Sequence, residues 1–363
     1  MKKIALVHDW FIEVGGSEKV ILEIYRILNK PPIYTLFSAK DTLYDLGINF
    51  SNVHPLFKKE KIIGKIYKHL LPFLPFLIEQ IDLGDYDVII SSSHSVAKGV
   101  LTKSYQIHIC YCHTPPRYIW DFYFSYLGSL SYINKILFSI VAHYLRIWDF
   151  YASQRIDYFI ANSKYVASRI KKFYGKKATV IYPPVEVHKF KINSKKENFY
   201  VTASRLVRYK NVELIVKAFN RLKDKKLIVI GKGEEMKRLK KFATPNIEFL
   251  GYVSDKELNY YLSHAKAFIF AAEEDFGILP VEAQACGTPV IAYRKGGVLE
   301  TVVENKTGIF FQEQTEESLI EAVKLFEKKE DNFDPRIIRK HAEKFSVENF
   351  KKKFLEFLNN VIY

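Results

Sequence analysis

Ala265-Lys266-Ala267-Phe268-Ile269-Phe270-Ala271-Ala272 runs straight into Glu273-Glu274-Asp275-Phe276-Gly277-Ile278-Leu279-Pro280-Val281-Glu282. The first eight residues form a short apolar run bounded by charge, the pattern of a buried strand. Beyond the next ten come Ala283-Gln284-Ala285-Cys286, then Gly287 and Pro289, which stop a short helix. An acidic loop therefore joins a strand to a helix, with Gly277 freeing the backbone and Pro280 suited to the first helical turn. The unpaired N–H groups of a helix start attract anions. Glu274 and Glu282 bracket that start eight residues apart. The stretch suits a phosphorylated, hydroxyl-rich ligand.

The same alternation extends to either side. In the second half, strands are expected at 199–203, 227–230, 247–250 and 289–293, with helices at 212–222, 234–242 and 255–263. The first half repeats it, with strands at 3–7, 33–37, within 85–95, at 106–112, near 158–163 and at 180–185. Its first helix follows Gly15-Gly16, with Val20, Ile21, Ile24 and Ile27 on one face and Ser17 as N-cap. Alternation of this kind predicts an α/β protein of two doubly wound parallel sheets facing each other across a cleft. The polar, Lys-rich segment 186–197 reads as a linker between domains at 1–185 and 198–344. Residues 345–363 read as an amphipathic helix returning to the first domain.

A chain of 363 residues with 48% hydrophobic content is large enough for two cores. Three cysteines are too few for a disulfide framework and suggest a reducing compartment. Cys110-x-Cys112-His113 lacks a second cluster to complete a metal site. No secretory leader is legible after Met1, and the run from Leu70 to Ile78 is broken by Pro72 and Pro75, so a cytoplasmic protein, soluble or peripheral, is expected. Charge is lopsided: residues 1–195 hold 26 Lys+Arg against 15 Asp+Glu, and residues 196–363 hold 29 against 25. A solvated Lys-rich surface, an anionic membrane surface or an anionic substrate would each use that excess. No stripe of cations with interleaved aromatics is present, which argues against nucleic acid. Segment 58–81 sets five lysines beside an apolar stripe, a pattern of membrane-surface helices and of ordinary solvated ones alike. Residues 118–158 are aromatic and poor in charge, with a long helical pattern at 133–151 that suits either interhelical packing or a greasy acceptor or partner surface.

Polar groups cluster after the expected strands. Ser204 to Asn211 offers Arg205, Arg208 and Lys210, and Arg205 with Lys210 is the pair suited to a diphosphate. Gly231-Lys232-Gly233 fails the dinucleotide fingerprint because Met236 stands where the third glycine belongs. Gly251-Tyr252-Val253 is a turn able to hold a base. In the first half, the hydroxyl and imidazole stretch Ser92 to Ser95, with Ser93 and His94 at its centre, follows a strand and suits the cleft, as does His113, locked by Pro115 and Pro116. Asp85-x-Asp87 precedes its strand, the wrong end for a ligand in an open α/β sheet.

Taken together, these residues resemble the retaining glycosyltransferases of family 4, which have the GT-B fold. Glu274 and Glu282 match that family's Glu-x7-Glu motif, Ser204-Arg205 with Lys210-Asn211 its phosphate-binding segment, and Gly15-Gly16 its N-terminal glycine loop. Tyr111 to Asp121, with Val7-His8-Asp9-Trp10, is similar to the branch of bacterial O-antigen mannosyltransferases. The resemblance implies a nucleotide-sugar donor, GDP-mannose above a UDP-sugar, and no metal or other cofactor. Arg205 and Lys210 would neutralise the diphosphate, helped by amides from Phe276, Gly277, Ile278 and Leu279. Glu282 would bind ribose hydroxyls, Glu274 a sugar hydroxyl, and Gly251, Tyr252 and Val253 would frame the base. Gly15 and Gly16 would approach the diphosphate and His113 the reacting sugar. Asp9, Ser93, His94 and Arg117 would lie on the side of a glycan or lipid-linked glycan acceptor. A glycoside hydrolase also uses two carboxylates, but acids flanking a helix start beside a basic loop favour nucleotide-sugar binding. A non-catalytic nucleotide-sugar sensor is the remaining alternative.

Overall fold

Apolar runs of four to eight residues become strands buried on both faces, as parallel sheets require. The computed structural model describes residues 2–57, 70–128, 130–193 and 195–362. Internal contacts divide the chain into two units, Met1–Pro183 with Lys351–Tyr363, and Pro184–Phe350. Residues 58–69 of the expected basic helix lie outside the described residues; its remainder is a 3-10 turn at Leu71–Phe73 and a helix at Leu74–Ile78.

The first unit holds a seven-stranded sheet in the order β3-β2-β1-β4-β5-β6-β7. Its strands are β1 (Ile4–Phe11), β2 (Ile33–Ser38), β3 (Val53–Phe57), β4 (Val88–Ser93), β5 (Ile107–Cys112), β6 (Tyr158–Ala161) and β7 (Ala178–Val180). All pairings are parallel. β3 carries Pro55 and is largely exposed, which an edge strand tolerates; its weak apolar pattern hid it from sequence reading. β7 ends at Val180, whereas a strand was expected at 180–185. Pro183 and Pro184 lack the N–H groups that a longer ladder would need.

The second unit holds a six-stranded sheet in the order β10-β9-β8-β11-β12-β13, again parallel throughout. These strands are β8 (Phe199–Ala203), β9 (Lys226–Ile230), β10 (Ile247–Gly251), β11 (Phe268–Phe270), β12 (Val290–Tyr293) and β13 (Gly308–Phe311). Each sheet reverses its strand order once, between β1 and β4 and between β8 and β11. In such sheets the crevice for a ligand opens at the carboxyl ends of those neighbouring strands. Phe219 and Phe326 are fully buried in one core cluster of the second unit, and Phe268 in the cluster on which the helix Asp255–His264 packs through Leu262.

The described residues of 186–197 are not a free linker but part of the second unit. Val187 is buried, Phe190 packs on the core, and Lys196 Nζ donates to Ser263 O at 2.8 Å and Thr288 Oγ1 at 2.7 Å. A polar segment can be ordered when its donors find buried carbonyls. From Lys351 the C-terminal helix Val347–Ile362 counts with the first unit, where Phe354 and Leu358 are buried and Lys2 Nζ donates to Ile362 O at 2.9 Å.

One buried ion pair ties the first unit together. Lys98 and Asp149, each 1% exposed, meet at 2.5 Å. Lys98 also donates to Ser95 O, and Asp149 accepts from Trp120 Nε1 and Tyr174 OH, both at 2.8 Å. The pair joins the end of β4 to the long helix Tyr132–Gln154 and the helix Lys164–Tyr174. Removing one partner of a buried pair strands the other charge, whereas replacing both with apolar groups is often neutral. Asp149→Ala should therefore destabilise the fold by about 3–5 kcal/mol in chemical denaturation. Lys98→Met with Asp149→Leu should recover only part of that loss, because Trp120 Nε1 and Tyr174 OH lose their acceptor.

Candidate active site

In the second unit the crevice is built on the loops after β8 and β11. Ser204 follows β8 and leads to Arg205, whose Nη2 donates to Tyr209 OH at 3.0 Å. A 3-10 turn at Arg208–Lys210 then delivers Lys210, and Asn211 takes a left-handed conformation before the helix Val212–Arg221. Lys210 Nζ forms an ion pair with Glu274 from the loop after β11. Both side chains are about four-fifths shielded, at 18% and 22% exposure. The diphosphate lysine and the sugar carboxylate expected from the sequence are thus brought together, each satisfying the other.

The acidic loop is held from behind. Gly297 N donates to Glu274 O at 2.8 Å, and a Cβ at Gly297 would meet Asp275 O at 2.3 Å. Gly231 plays the matching part for the β8 loop, since a Cβ there would stand 1.8 Å from Ser204 O. The glycines of Gly231-Lys232-Gly233 and Arg294-Lys295-Gly296-Gly297 are therefore packing positions behind the two ligand loops. Gly277, at φ +89°, caps the helix Ile278–Ala285. Phe276 is buried against Phe345, and Glu282 is buried on the helix that Ile278 and Leu279 begin. Gly251 O accepts from Gly231 N at 2.7 Å. Beyond it Tyr252 is 75% exposed, with Lys232 Nζ 5.8 Å from its ring centre, and Val253 packs on the core. A cavity of about 300 Å³ lies under Arg208 and Asn211, but its Arg238 is already paired with Glu213 and Glu235.

In the first unit the crevice lies where β1 and β4 end. Glu18 Oε1 lies 3.4 Å from His8 Nε2, His8 Nδ1 lies 3.2 Å from Ser92 Oγ, and Ser92 Oγ lies 2.8 Å from His113 Nε2. His113 thus ends a buried polar chain whose His8 and Glu18 sequence reading missed. The spacing of Glu18, three residues after Gly15, was a legible capping signal. Gly15, not Ser17, is the N-cap of the helix Gly16–Ile27. Its N–H donates to Glu18 Oε2 at 2.9 Å, so this glycine-loop amide is already committed to the helix start.

Asp9 is a correction. Expected beside an acceptor, it is fully buried, and its carboxylate accepts four backbone N–H groups, from His94, Ser95, Val96 and Ala97, at 2.6–3.0 Å. It also lies 3.1 Å from His94 Nδ1. A buried carboxylate needs that many donors, so Asp9 orients the loop that carries His94 and does not face solvent. Ser93 Oγ is buried without a hydrogen-bond partner among the described residues. Arg117 stacks over Phe122, 4.9 Å from its ring centre. The three cysteines are free and buried, and among the described residues no group of three His, Cys, Asp or Glu is placed to hold a metal.

Burial pushes the pKa of His113 down to about 3, with the nearby His94 and His8 adding to the effect. Burial likewise takes His108 down to about 3. For Glu18, burial works upward, but the His8 hydrogen bond and charge outweigh it and hold the carboxyl at about 2. His113 is therefore a neutral imidazole at physiological pH, able to offer a hydrogen bond but no charge.

Two parallel α/β sheets, with a lysine and a carboxylate meeting at the second sheet's strand-order reversal before a helix start, define a glycosyltransferase of the GT-B class. Residues 14–189 match the family described as Glycosyltransferase Family 4, and residues 185–348 that described as Glycosyl transferases group 1. The chain belongs to glycosyltransferase family 4 and is an enzyme, a hexosyltransferase. It is 24% identical over 366 residues to the alpha-1,3/1,6-mannosyltransferase alg2 of Schizosaccharomyces pombe, covering 84% of this chain and 70% of that one. It is 31% identical over 178 residues to a GDP-mannose-dependent monoacylated alpha-(1-6)-phosphatidylinositol monomannoside mannosyltransferase of Corynebacterium glutamicum, covering 40% and 47%. Its fold is similar to that of Anabaena HepE in complex with UDP-glucose, with a TM-score of 0.74, 17% identity and coverage of 99% and 100%.

Both histidines protonate more readily in the unfolded chain, near pH 6.5, than in the folded one. Stability should be full above that pH and fall as pH drops from about 6.5 towards 3, with Glu18 adding to the loss below about 4.5. At pH 4.5 each histidine should account for on the order of 2–3 kcal/mol. Thermal melts across this range should show a shallower fall for His113→Gln than for wild type.

Proposed function

We propose that the protein transfers a mannosyl group from GDP-mannose to a glycan or lipid-linked glycan, with retention of configuration and without a metal ion. The mannosyltransferase relatives support the donor choice. The observation that carries the mechanism is the Lys210–Glu274 pair in front of the helix Ile278–Ala285. A diphosphate arriving there exchanges partners with it: Lys210 and Arg205 turn to the phosphates, and the Glu274 carboxylate is released to accept a sugar hydroxyl. The amides from Phe276 to Leu279 take part of the same charge. Glu282 receives the ribose and the Gly251–Val253 turn the base.

Cleavage leaves negative charge on the diphosphate while the sugar becomes oxocarbenium-like. Catalysis then rests mainly on stabilising that leaving group with preorganised cations and amides. The departing phosphate takes the proton of the incoming hydroxyl on the same face, so no protein carboxylate acts as general base. Neutral His113 offers a hydrogen bond to the sugar without competing for that proton. His94, oriented by Asp9, with Ser93 and Arg117, serves the acceptor in the first unit. A lipid-linked acceptor assigns the reaction to the inner face of the cytoplasmic membrane.

A thermal-shift panel of GDP-, UDP- and ADP-sugars tests the donor, because a ligand of the folded state raises the melting temperature. GDP-mannose should give the largest shift; a clear shift with a UDP-sugar and none with GDP-mannose would overturn the donor. With the preferred donor and an acceptor extract, Arg205→Ala and Lys210→Ala should each lower kcat/KM by roughly 100-fold or more while melting within a few degrees of wild type. Full activity in either variant would sink the mechanism.

A further inference from the structure

The helix Tyr132–Gln154 is apolar on the side it buries and apolar on the side it does not. Ala142, Leu145, Asp149 and Ala152 are buried. Ile133, Ile136, Leu137, Ile140, Tyr144 and Ile147 are between 45% and 71% exposed. Spacings of three and four put these six on one face, and Tyr151 continues the stripe, giving a length of about 27 Å. Helix faces turned to water are ordinarily polar, and single exposed apolar side chains mean little, but a contiguous stripe marks a contact surface. The segment Leu71–Ile78 packs on the same helix through Leu71 and exposes Phe73 and Phe76, each by 60%.

The surrounding charge selects the partner. Residues 98–185 contain twelve Lys and Arg against three Asp. Those three are engaged: Asp149 by Lys98, Asp121 by Arg169, and Asp157 by the His108 amide. No exposed carboxylate lies on the helix itself, which instead carries Lys135, His143 and Arg146. A second copy docking stripe to stripe would set two such cationic regions against each other, which like-charge repulsion opposes.

We infer that this stripe docks on an anionic lipid bilayer. The helix lies in the interfacial plane with its isoleucines and Leu137 among the acyl chains. Tyr132, Tyr144 and Tyr151 sit at headgroup level, and the cations of residues 98–185 other than buried Lys98 and Arg169 meet the lipid phosphates. The inference deepens the membrane-face part of the proposed function and names the surface responsible; donor binding does not depend on it.

Co-sedimentation tests it with vesicles of phosphatidylcholine and phosphatidylglycerol at about two to one, against phosphatidylcholine alone. The wild type should bind the mixed vesicles about tenfold more tightly than the neutral ones, with binding falling as salt is raised. Ile136→Asp with Ile140→Asp should lose at least about tenfold, and the milder Ile133→Ser with Ile140→Ser a smaller but clear share. Both variants should keep the melting temperature and the nucleotide-sugar thermal shift of wild type. Equal binding by variants and wild type overturns the inference, as does absence of wild-type binding. A wild-type dimer that the Asp variant converts to monomer would assign the stripe to a second copy instead. A wild type that shows the donor shift but binds no vesicles would sink the docking surface alone; a wild type that binds vesicles but shows no donor shift would sink the functional reading alone.

Discussion

The strand order of each sheet reverses once, and both crevices described above follow from that constraint. A right-handed crossover can lead outward from a central strand in either direction. When the chain has run from β1 out to β3 and then returns to β4, the loops leaving β1 and β4 turn apart and open a gap at their carboxyl ends. The second unit repeats the arrangement between β8 and β11. Each gap is lined by the residues that happen to follow those strands. Here they are His94 and Ser95 after β4 in one unit, with His8, Asp9 and Ser92 in the carboxyl halves of β1 and β4 beneath them, and Ser204, Arg205 and Glu274 in the other.

Two kinds of polar group fill these gaps, and burial separates their duties. Asp9 spends its carboxylate on four amides, Glu18 on His8 and Gly15, and Asp149 on Lys98, Trp120 and Tyr174. Fully shielded acids of this kind must be satisfied within the protein, and they shape the loops on which other groups stand. Lys210 and Glu274 are different: they are partly open to water and hold each other. A pair in that state loses little when a ligand replaces each partner, which suits charges that must be exchanged during a reaction.

Much of this organisation was legible because local chemistry announces itself. The acidic loop before Ile278, the cation-rich segment after Ala203 and the glycine pair at Gly15 each carry their reading in a few adjacent residues. The missed features depend on distant neighbours. β3 and β13 are short and weakly patterned, and the segment 186–197 looked like a linker because nothing in it showed that Lys196 would donate to the Ser263 carbonyl or that the Lys189 carbonyl would accept from Asn259 Nδ2. The packing role of Gly231 and Gly297 shows only once the backbone oxygens behind them are in view.

By itself, then, the sequence determined the alternation of strands and helices, the two-unit α/β class and the clustering of charged residues and glycines after particular strands, because those properties rest on periodicity and on adjacent residue types. Only the tertiary structure decided which strands are neighbours, that Asp9 is buried and consumed by amides, that Glu18 reaches His113 through His8 and Ser92, and that the long helix leaves an apolar face uncovered. Each of those depends on what packs against a side chain, and burial is a property of the neighbours rather than of the residue.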